Sequence, residues 1–158
     1  MTGVLVIVPC GQKKIWDCHA NTGQTAARDA YTGAPFIINR AYAEVFSNAW
    51  IILSAKYGFI EPGFGISGPY NITFKKKGSV PITAQELLEQ VRFNNFARFT
   101  TIIGLGGKIY RETIQQAFAD SAPRLHFPFS GLPIGKAMQS TKRAIATNDP
   151  LWKNRSDQ

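Results

Sequence analysis

Lysines follow the ends of the apolar segments of this sequence, at positions where lysine side chains can bind phosphate groups. The apolar runs predict strands at residues 4–9, 50–54, 100–104 and 125–127. The turns that follow them contain, in chain order, Lys13, Lys14, Lys56, Lys108 and Lys136. Open α/β sheets bind their ligands beyond the carboxyl ends of the strands. The spacing therefore predicts a positively charged cleft, and we expect a phosphate-bearing ligand, with nucleic acid as the first choice.

The first of these turns has the sequence CGQKK, from Cys10 to Lys14. Gly11 allows the backbone to approach a ligand, and the Gln12 amide both donates and accepts hydrogen bonds. Lys13 and Lys14 supply charge for phosphates. Cys10 is either a small packing residue or part of the cleft wall. The alternative interpretation of the whole motif is a solvated turn.

The second predicted strand ends in Ser54, followed by Lys56 and Tyr57. An aromatic ring beside hydroxyl and ammonium donors suits base stacking combined with polar recognition. Tyr57 is alternatively a core aromatic residue that keeps its hydroxyl at the surface. These residues begin an irregular stretch, residues 55–81, whose lysine run at 75–77 predicts a hairpin or flap beside the cleft or, alternatively, a solvated loop tip.

The last predicted strand leads through the turn PFSGLP into a helix. Ser130 lies in this turn, and Lys136 lies near the start of the helix. Because the free N–H groups of a helix N-terminus bind phosphate, we expect both side chains to contact one. His126 precedes the turn and is expected to pack within the fold.

Few carboxylates are available for catalysis at the strand ends. Three lie in loops there: Asp17, Asp29 and Glu61. Arg28 stands beside Asp29 and would keep it ionised, although the two residues also fit a purely structural pair. Asn39 and Arg40 are polar residues in an otherwise apolar helix start, APFIINRAYAEVF, near the expected cleft mouth.

The order of elements positions these residues in one α/β domain. Predicted helices alternate with the strands at residues 35–47, 83–96, 108–119 and 134–147, with a further short helix near residues 25–31. Alternation of this kind predicts a three-layer sandwich with a four-stranded parallel sheet. We expect one domain over residues 1–147 and a polar tail over residues 148–158, with Trp152 as an anchor.

The bulk composition supports an anionic partner and argues against several protein classes. The 158 residues include 18 Lys+Arg and 10 Asp+Glu, a formal net charge of +8. Such an excess attracts polyanions, although an ordinary basic protein also fits it. Two cysteines are too few for a disulfide framework or a zinc site, so no metal or other cofactor is expected. With neither a signal peptide nor a membrane span in the pattern, we expect a cytoplasmic protein.

Several motifs resemble those of uracil-DNA-glycosylase-like enzymes. CGQKK resembles their GQDPY-type motif, HFPFSGLPIGKAM resembles their HPSPLS-type turn, and IILSAKYGF stands in the place of their base-reading strand. SAKYGFIEP and PYNITF are also similar to a segment of the YaaA-type peroxide-stress proteins. Together with ARDAYTG and NRAYAEVF, these motifs resemble a family of short basic domains of bacteria and phages, associated with modified DNA bases.

The resemblance implies a strand order of 2-1-3-4, a base flipped out of DNA, and hydrolysis of the N-glycosidic bond of a modified base, in antiviral defence or repair. The water-activating carboxylate of the motif is replaced by Lys13, so that role passes to Asp29 or Asn39. Gln12 or Lys56 would meet the base oxygens. Base contacts are further implied for Cys10, Gly11, Tyr31, Ser54 and Tyr57, with Tyr31 or Tyr57 stacking on the base, and phosphate contacts for Lys13, Lys14, Arg40, Ser130 and Lys136.

DNA is the expected partner, and no obligate protein partner is evident. Two alternatives remain open. One is a non-catalytic nucleic-acid or nucleotide-binding module, and the other is an N-glycosidase of free nucleotides.

Overall fold

The computed structural model describes residues 3–75, 78–121 and 124–152. The strands are β1 (Val4–Pro9), β2 (Thr25–Ala26), β3 (Ala49–Ser54), β4 (Gly58–Ile60), β5 (Gly65–Ile66), β6 (Thr101–Gly104) and β7 (Arg124–His126). The α-helices are α1 (Ala27–Ala30), α2 (Ala34–Phe46), α3 (Ala84–Phe93), α4 (Lys108–Ala117) and α5 (Ile134–Ala146). Short 3-10 helices cover Ile15–Asp17 and Phe96–Arg98.

The central sheet has five strands in the order β4-β3-β1-β6-β7. Strand β1 pairs in parallel with β3 and β6, and β7 continues the parallel sheet beyond β6. The four predicted parallel strands are therefore present, in the expected order. The predicted strand count was wrong, because β4 adds an antiparallel edge next to β3. Strand β4 has three residues, too few to show a periodic pattern.

Strand β1 lies in the middle of the sheet and is apolar on both faces, as a parallel strand covered on both sides must be. Val6 and Val8 pack with core residues of α2 and α5. Leu5 and Ile7 pack with core residues of α3 and α4. Helices thus cover both faces of the sheet, which confirms the three-layer α/β architecture. None of the described helices is long and apolar enough to span a membrane.

Local signals in the sequence account for where two of the helices begin. Pro35 lies in the first turn of α2, where its missing N–H has no helical partner to lose. Thr83 caps α3 by accepting a hydrogen bond from the Glu86 N–H at 3.1 Å, and the Glu86 carboxylate accepts one from the Thr83 N–H at 3.3 Å. This is the capping box that the sequence predicts.

A side chain from α3 holds the tight turn between β3 and β4. The Gln90 side-chain carbonyl accepts a hydrogen bond from the Phe59 N–H at 2.8 Å, and its amide donates to the Tyr57 carbonyl at 2.9 Å. Gly58 lies between these two residues with φ +77°, a value that favours glycine. The Gln90 side chain therefore holds this turn through both of the residues that flank Gly58.

The segment after α5 packs against the domain as far as Trp152. The Tyr42 hydroxyl donates to the Pro150 carbonyl at 2.6 Å, and the Trp152 ring lies 5.6 Å from the His126 ring. The anchoring role of Trp152 and the packing role of His126 are confirmed. Pro150 and Trp152 thus contact the domain, and residues 153–158 lie outside the described part of the chain.

Candidate functional site

A cleft of about 1220 Å³ opens beyond the carboxyl ends of β1 and β6. Five segments form its walls. They are the turn after β1, the start of α2, the loop 69–75, the start of α4, and the turn into α5 with the first half of α5. The cleft thus lies at the end of the sheet that the sequence predicts.

The charged side chains that line the cleft are mostly cationic. They are Lys13, Lys14, Lys75 and Arg111, against the single carboxylate Asp17 among the described lining residues. Asp17 accepts a hydrogen bond from the Lys14 backbone N–H at 2.9 Å, and this contact caps the short 3-10 helix. The cleft consequently favours anionic ligands.

Aromatic rings form a second part of the lining. Phe74 and Tyr110 pack edge to face, with ring centroids 5.7 Å apart, and both lie on the cleft wall. Tyr70 also lines the cleft and lies in the same loop as Phe74, at residues 69–75. Rings at the surface of a cationic cleft provide apolar contact area for a planar ligand.

A chain of buried hydroxyl groups supports the loop that carries Tyr70. The Tyr70 hydroxyl hydrogen-bonds with the Tyr31 hydroxyl and lies 2.9 Å from the Ser54 Oγ. The Ser54 Oγ also accepts the backbone N–H groups of Lys56 and Tyr57, each at 3.2 Å. Burial raises the pKa of both Tyr31 and Tyr70, so their hydroxyls stay protonated.

Lys14 lies beneath this loop and is only 8 % exposed. Its ammonium group donates to the Gln12 carbonyl at 3.1 Å and lies 4.5 Å from the centroid of the Tyr70 ring. Burial lowers the pKa of Lys14, because desolvation disfavours the charged form. Lys14 also lines the cleft, so its phosphate contact stays a prediction, and a backbone bridge joins Lys14 to Tyr31.

Cys10 lies at the end of β1 and lines the cleft. A place in the cleft wall is one of the two alternatives that the sequence left open for this residue. Its Sγ lies 3.6 Å from the Tyr110 hydroxyl, and burial raises the pKa of that phenol. Both Cys10 and Cys18 are free thiols. Within residues 3–75, 78–121 and 124–152, no three His, Cys, Asp or Glu side chains are grouped to hold a metal ion.

The structure brings together six of the predicted site residues on the cleft wall: Cys10, Gly11, Gln12, Lys13, Lys14 and Asn39. The remaining predicted site residues do not line the cleft. These are Asp29, Tyr31, Arg40, Ser54, Lys56, Tyr57, Ser130 and Lys136. Of the lysine run at 75–77, Lys75 lies on the wall, and the other two residues lie outside the described part of the chain.

Neither of the tyrosines predicted to stack on a base faces the cleft. Tyr31 is 2 % exposed and packs on Phe36 at 5.1 Å between ring centroids. Tyr57 packs between the rings of Phe64 and Tyr70, at 5.1 and 5.5 Å. Ser54 is fully buried, so its hydroxyl holds the turn and not a ligand.

Asp29 and Arg40 belong to an exposed ion-pair network outside the cleft. Asp29 lies 3.8 Å from Arg28 and 3.5 Å from Arg40. Arg40 also donates to Glu44 at 2.6 Å, and this bond raises the pKa of Arg40. The structural interpretation of the Arg28–Asp29 pair therefore fits, and Asn39, the other residue proposed to position water, lies on the cleft wall.

The start of α5 presents apolar side chains to the cleft, not the polar ones that the sequence predicts. Leu132 and Ile134 line it, and they are 42 % and 70 % exposed. Ser130 and Lys136 are exposed but lie off the cleft wall. Lys56 is also exposed and lies over the rings of Tyr57 and Tyr70, at 5.0 and 5.5 Å.

Sequence reasoning missed Phe74, Tyr110 and Arg111 as cleft residues. A signal for the last two was present, because residues three and four positions along a helix lie on the side of its starting residue, here the Gly107 N-cap at the cleft end of α4. The position of Phe74 depends on how the irregular loop folds, which the local sequence does not reveal.

Comparison with other proteins places the chain in a family. Residues 5–143 match DUF6884, a family of unknown function. The chain belongs to this family. It is also 36% identical over 148 residues to a protein of Bacillus subtilis (strain 168) named "Uncharacterized protein YfjM", covering 93% of this chain and 98% of that protein. No solved structure matches the chain significantly.

Proposed function

We propose that this protein is a DNA glycosylase that binds a flipped nucleotide in the cleft and hydrolyses its N-glycosidic bond. The observation that carries the proposal is the combination of cationic side chains and aromatic rings on one cleft wall beyond the strand ends. The cations suit phosphates, and the rings suit a base. A modified base is the expected substrate, with a role in antiviral defence or repair.

The base would contact the aromatic part of the wall. Phe74 and Tyr110 offer ring surface, and the Gln12 amide, on an exposed residue, offers a donor and an acceptor for the base edge. Flipping a nucleotide out of a duplex costs a few kcal/mol. Stacking is worth about 1–3 kcal/mol per base, so these rings would offset much of that cost.

The phosphates flanking the flipped nucleotide would contact Lys13, Lys75 and Arg111. The two lysines are exposed and the arginine is half-buried, and all three line the cleft. None of them is as buried as Lys14, which also lines the cleft. Their charges therefore remain available to a bound strand.

Hydrolysis of the N-glycosidic bond passes through an oxocarbenium-like state of the sugar, and negative charge develops on the leaving base. The Asn39 side-chain carbonyl would accept a hydrogen bond from the attacking water and orient it towards the sugar, by analogy with the carboxylates of glycosidases. The Gln12 amide N–H would stabilise the charge on the base. Asp17, the single carboxylate on the described wall, already accepts the Lys14 N–H.

The resemblance to uracil-DNA-glycosylase-like enzymes supports the same assignment. CGQKK follows the central strand, as the GQDPY-type motif does, and the parallel strands have the order that the resemblance implies.

The test is an incubation of the purified protein with DNA panels that carry normal, deaminated, hydroxymethylated or glycosylated bases. Heating in alkali then breaks the strand at abasic sites. We expect breaks at one class of base, lost in Asn39→Ala and kept in Asp29→Ala, the matched control outside the cleft.

Two other outcomes would favour the alternatives. Salt-sensitive DNA binding without strand breaks would indicate a non-catalytic binding module. Neither breaks nor DNA binding would indicate that the cleft takes a free nucleotide.

A further inference from the structure

Lys14 is a cationic side chain that the hydrolytic step does not use, although it lies on the cleft wall. It is 8 % exposed, and its ammonium group has the Gln12 carbonyl, at 3.1 Å, as its hydrogen-bond acceptor. Within the described ranges, no carboxylate forms an ion pair with it. A buried ammonium is costly unless it is paired with a charge.

Burial of Lys14 makes its neutral amine form more accessible than that of an exposed lysine. Burial lowers the pKa of Lys14, while Cys10 and Asp17 act in the opposite direction with smaller effects. The rings of Tyr70 and Tyr31, at 4.5 and 5.9 Å, act in favour of a cation at the Lys14 nitrogen. A neutral lysine amine is a nucleophile that forms Schiff bases with carbonyl carbons.

We propose that Lys14 is the nucleophile of an abasic-site lyase step, for which the proposed glycosylase step would supply the substrate. An abasic sugar is in equilibrium with an open-chain aldehyde. The Lys14 Nζ adds to the C1′ carbon of that aldehyde, and uptake of one proton from solvent with loss of one water molecule gives a protonated imine. The bound sugar is then held covalently in the cleft.

Strand cleavage follows from the imine without any oxidant or reductant. A water molecule in the cleft removes a proton from C2′, and the C3′–O3′ bond breaks as the electron pair forms a C2′–C3′ double bond. The phosphate leaves as the 5′ end of the next DNA segment. Addition of water to the imine then releases the unsaturated sugar and restores the Lys14 amine.

The position of Tyr70 suits this intermediate. Its ring lies 4.5 Å from the Lys14 Nζ, where it would stabilise the cationic imine by a cation–π interaction. Hydrogen bonds of the Tyr70 hydroxyl with Tyr31 and Ser54 hold the ring in place.

The test uses DNA that already contains an abasic site, so it does not depend on base removal by this protein. Sodium borohydride reduces an imine to a stable amine and leaves the DNA attached to the protein. We expect a covalent protein–DNA adduct, and peptide mapping by mass spectrometry should find it on Lys14. We also expect strand breaks in the untrapped reaction without alkali.

Two variants complete the experiment. Lys14→Met should lose the adduct, whereas Lys108→Met should keep it, because Lys108 is an exposed amine beside the cleft that pairs with Glu112. An adduct on another lysine, or no adduct in the wild-type protein, would overturn the proposal. If Lys14→Met does not fold, peptide mapping of the wild-type adduct still decides. Glycosylase activity without trapping would overturn the lyase step alone.

Discussion

The Ser54 Oγ lies 2.9 Å from the Tyr70 hydroxyl, and this contact joins the end of β3 to the loop that forms one wall of the cleft. The same Oγ accepts two backbone N–H groups of the turn after β3. One fully buried hydroxyl therefore holds both the turn and the loop. The Ser54 side chain, which the sequence assigns to base binding, instead holds the loop of the cleft wall and the turn after β3 in place.

Replacement of Ser54 by alanine should destabilise the fold. It removes the acceptor of two backbone N–H groups and one of the two partners of the Tyr70 hydroxyl, and each buried unsatisfied polar group costs about 1–3 kcal/mol. Urea denaturation should show a drop of at least about 1 kcal/mol in the free energy of unfolding. Ser130→Ala, at an exposed position, should change it by less than about 0.5 kcal/mol.

The buried tyrosines should make the fold sensitive to alkali. Burial raises the pKa of Tyr31, Tyr42, Tyr70 and Tyr110 above its ordinary value of about 10. Because the unfolded chain loses these protons first, their contribution to stability is complete below about pH 10 and is lost as the pH rises further.

Urea denaturation at several pH values checks this dependence. The range should run from about 9 to about 12, which includes the ordinary tyrosine pKa of about 10. The free energy of unfolding should fall with pH, and less steeply in Tyr42→Phe. A stability that rises over this range would contradict the burial of these phenols.

Charge removal on the cleft wall should weaken DNA binding. Lys13→Met and Arg111→Met each remove one expected phosphate contact, so the slope of log K against log salt should decrease by about 1 in each variant. Fluorescence anisotropy over a salt series measures this slope. Lys142→Met, an exposed lysine off the wall, should leave it unchanged.

Replacement of Gly58 by alanine should strain the turn between β3 and β4. A Cβ there would contact the Gln90 side chain and lie 2.7 Å from the Ile82 Cδ1, at a residue with φ +77°. We expect a loss of about 1–3 kcal/mol, measured by urea denaturation. Gly135→Ala, in helix α5 with open space around it, should instead raise stability by about 0.5–1 kcal/mol.

Much of the fold could be predicted because its signals are local. The apolar run of β1, the Thr83 capping box and the Pro35 helix start each depend on neighbouring residues, and each is found in the structure. Strand β4 escaped prediction because it forms only where the turn at Gly58 brings it back against β3.

The site could be predicted only in part because most of its contacts join distant segments. The turn after β1 contributes Gln12 and Lys13 as expected, since they directly follow a central strand. Lys14 and Tyr31 are both buried and are joined by a backbone bridge between two separate segments of the chain. Neither periodicity nor composition shows such a bridge.

The most direct test of the proposed function is the release of free base from DNA. Wild-type protein, Asn39→Ala and Asp29→Ala are incubated with DNA containing the modified bases, and free bases are measured by mass spectrometry. Release by the wild-type protein and Asp29→Ala, with loss in Asn39→Ala, is the predicted result. Absence of any released base, or equal release by Asn39→Ala, would contradict hydrolysis in this cleft.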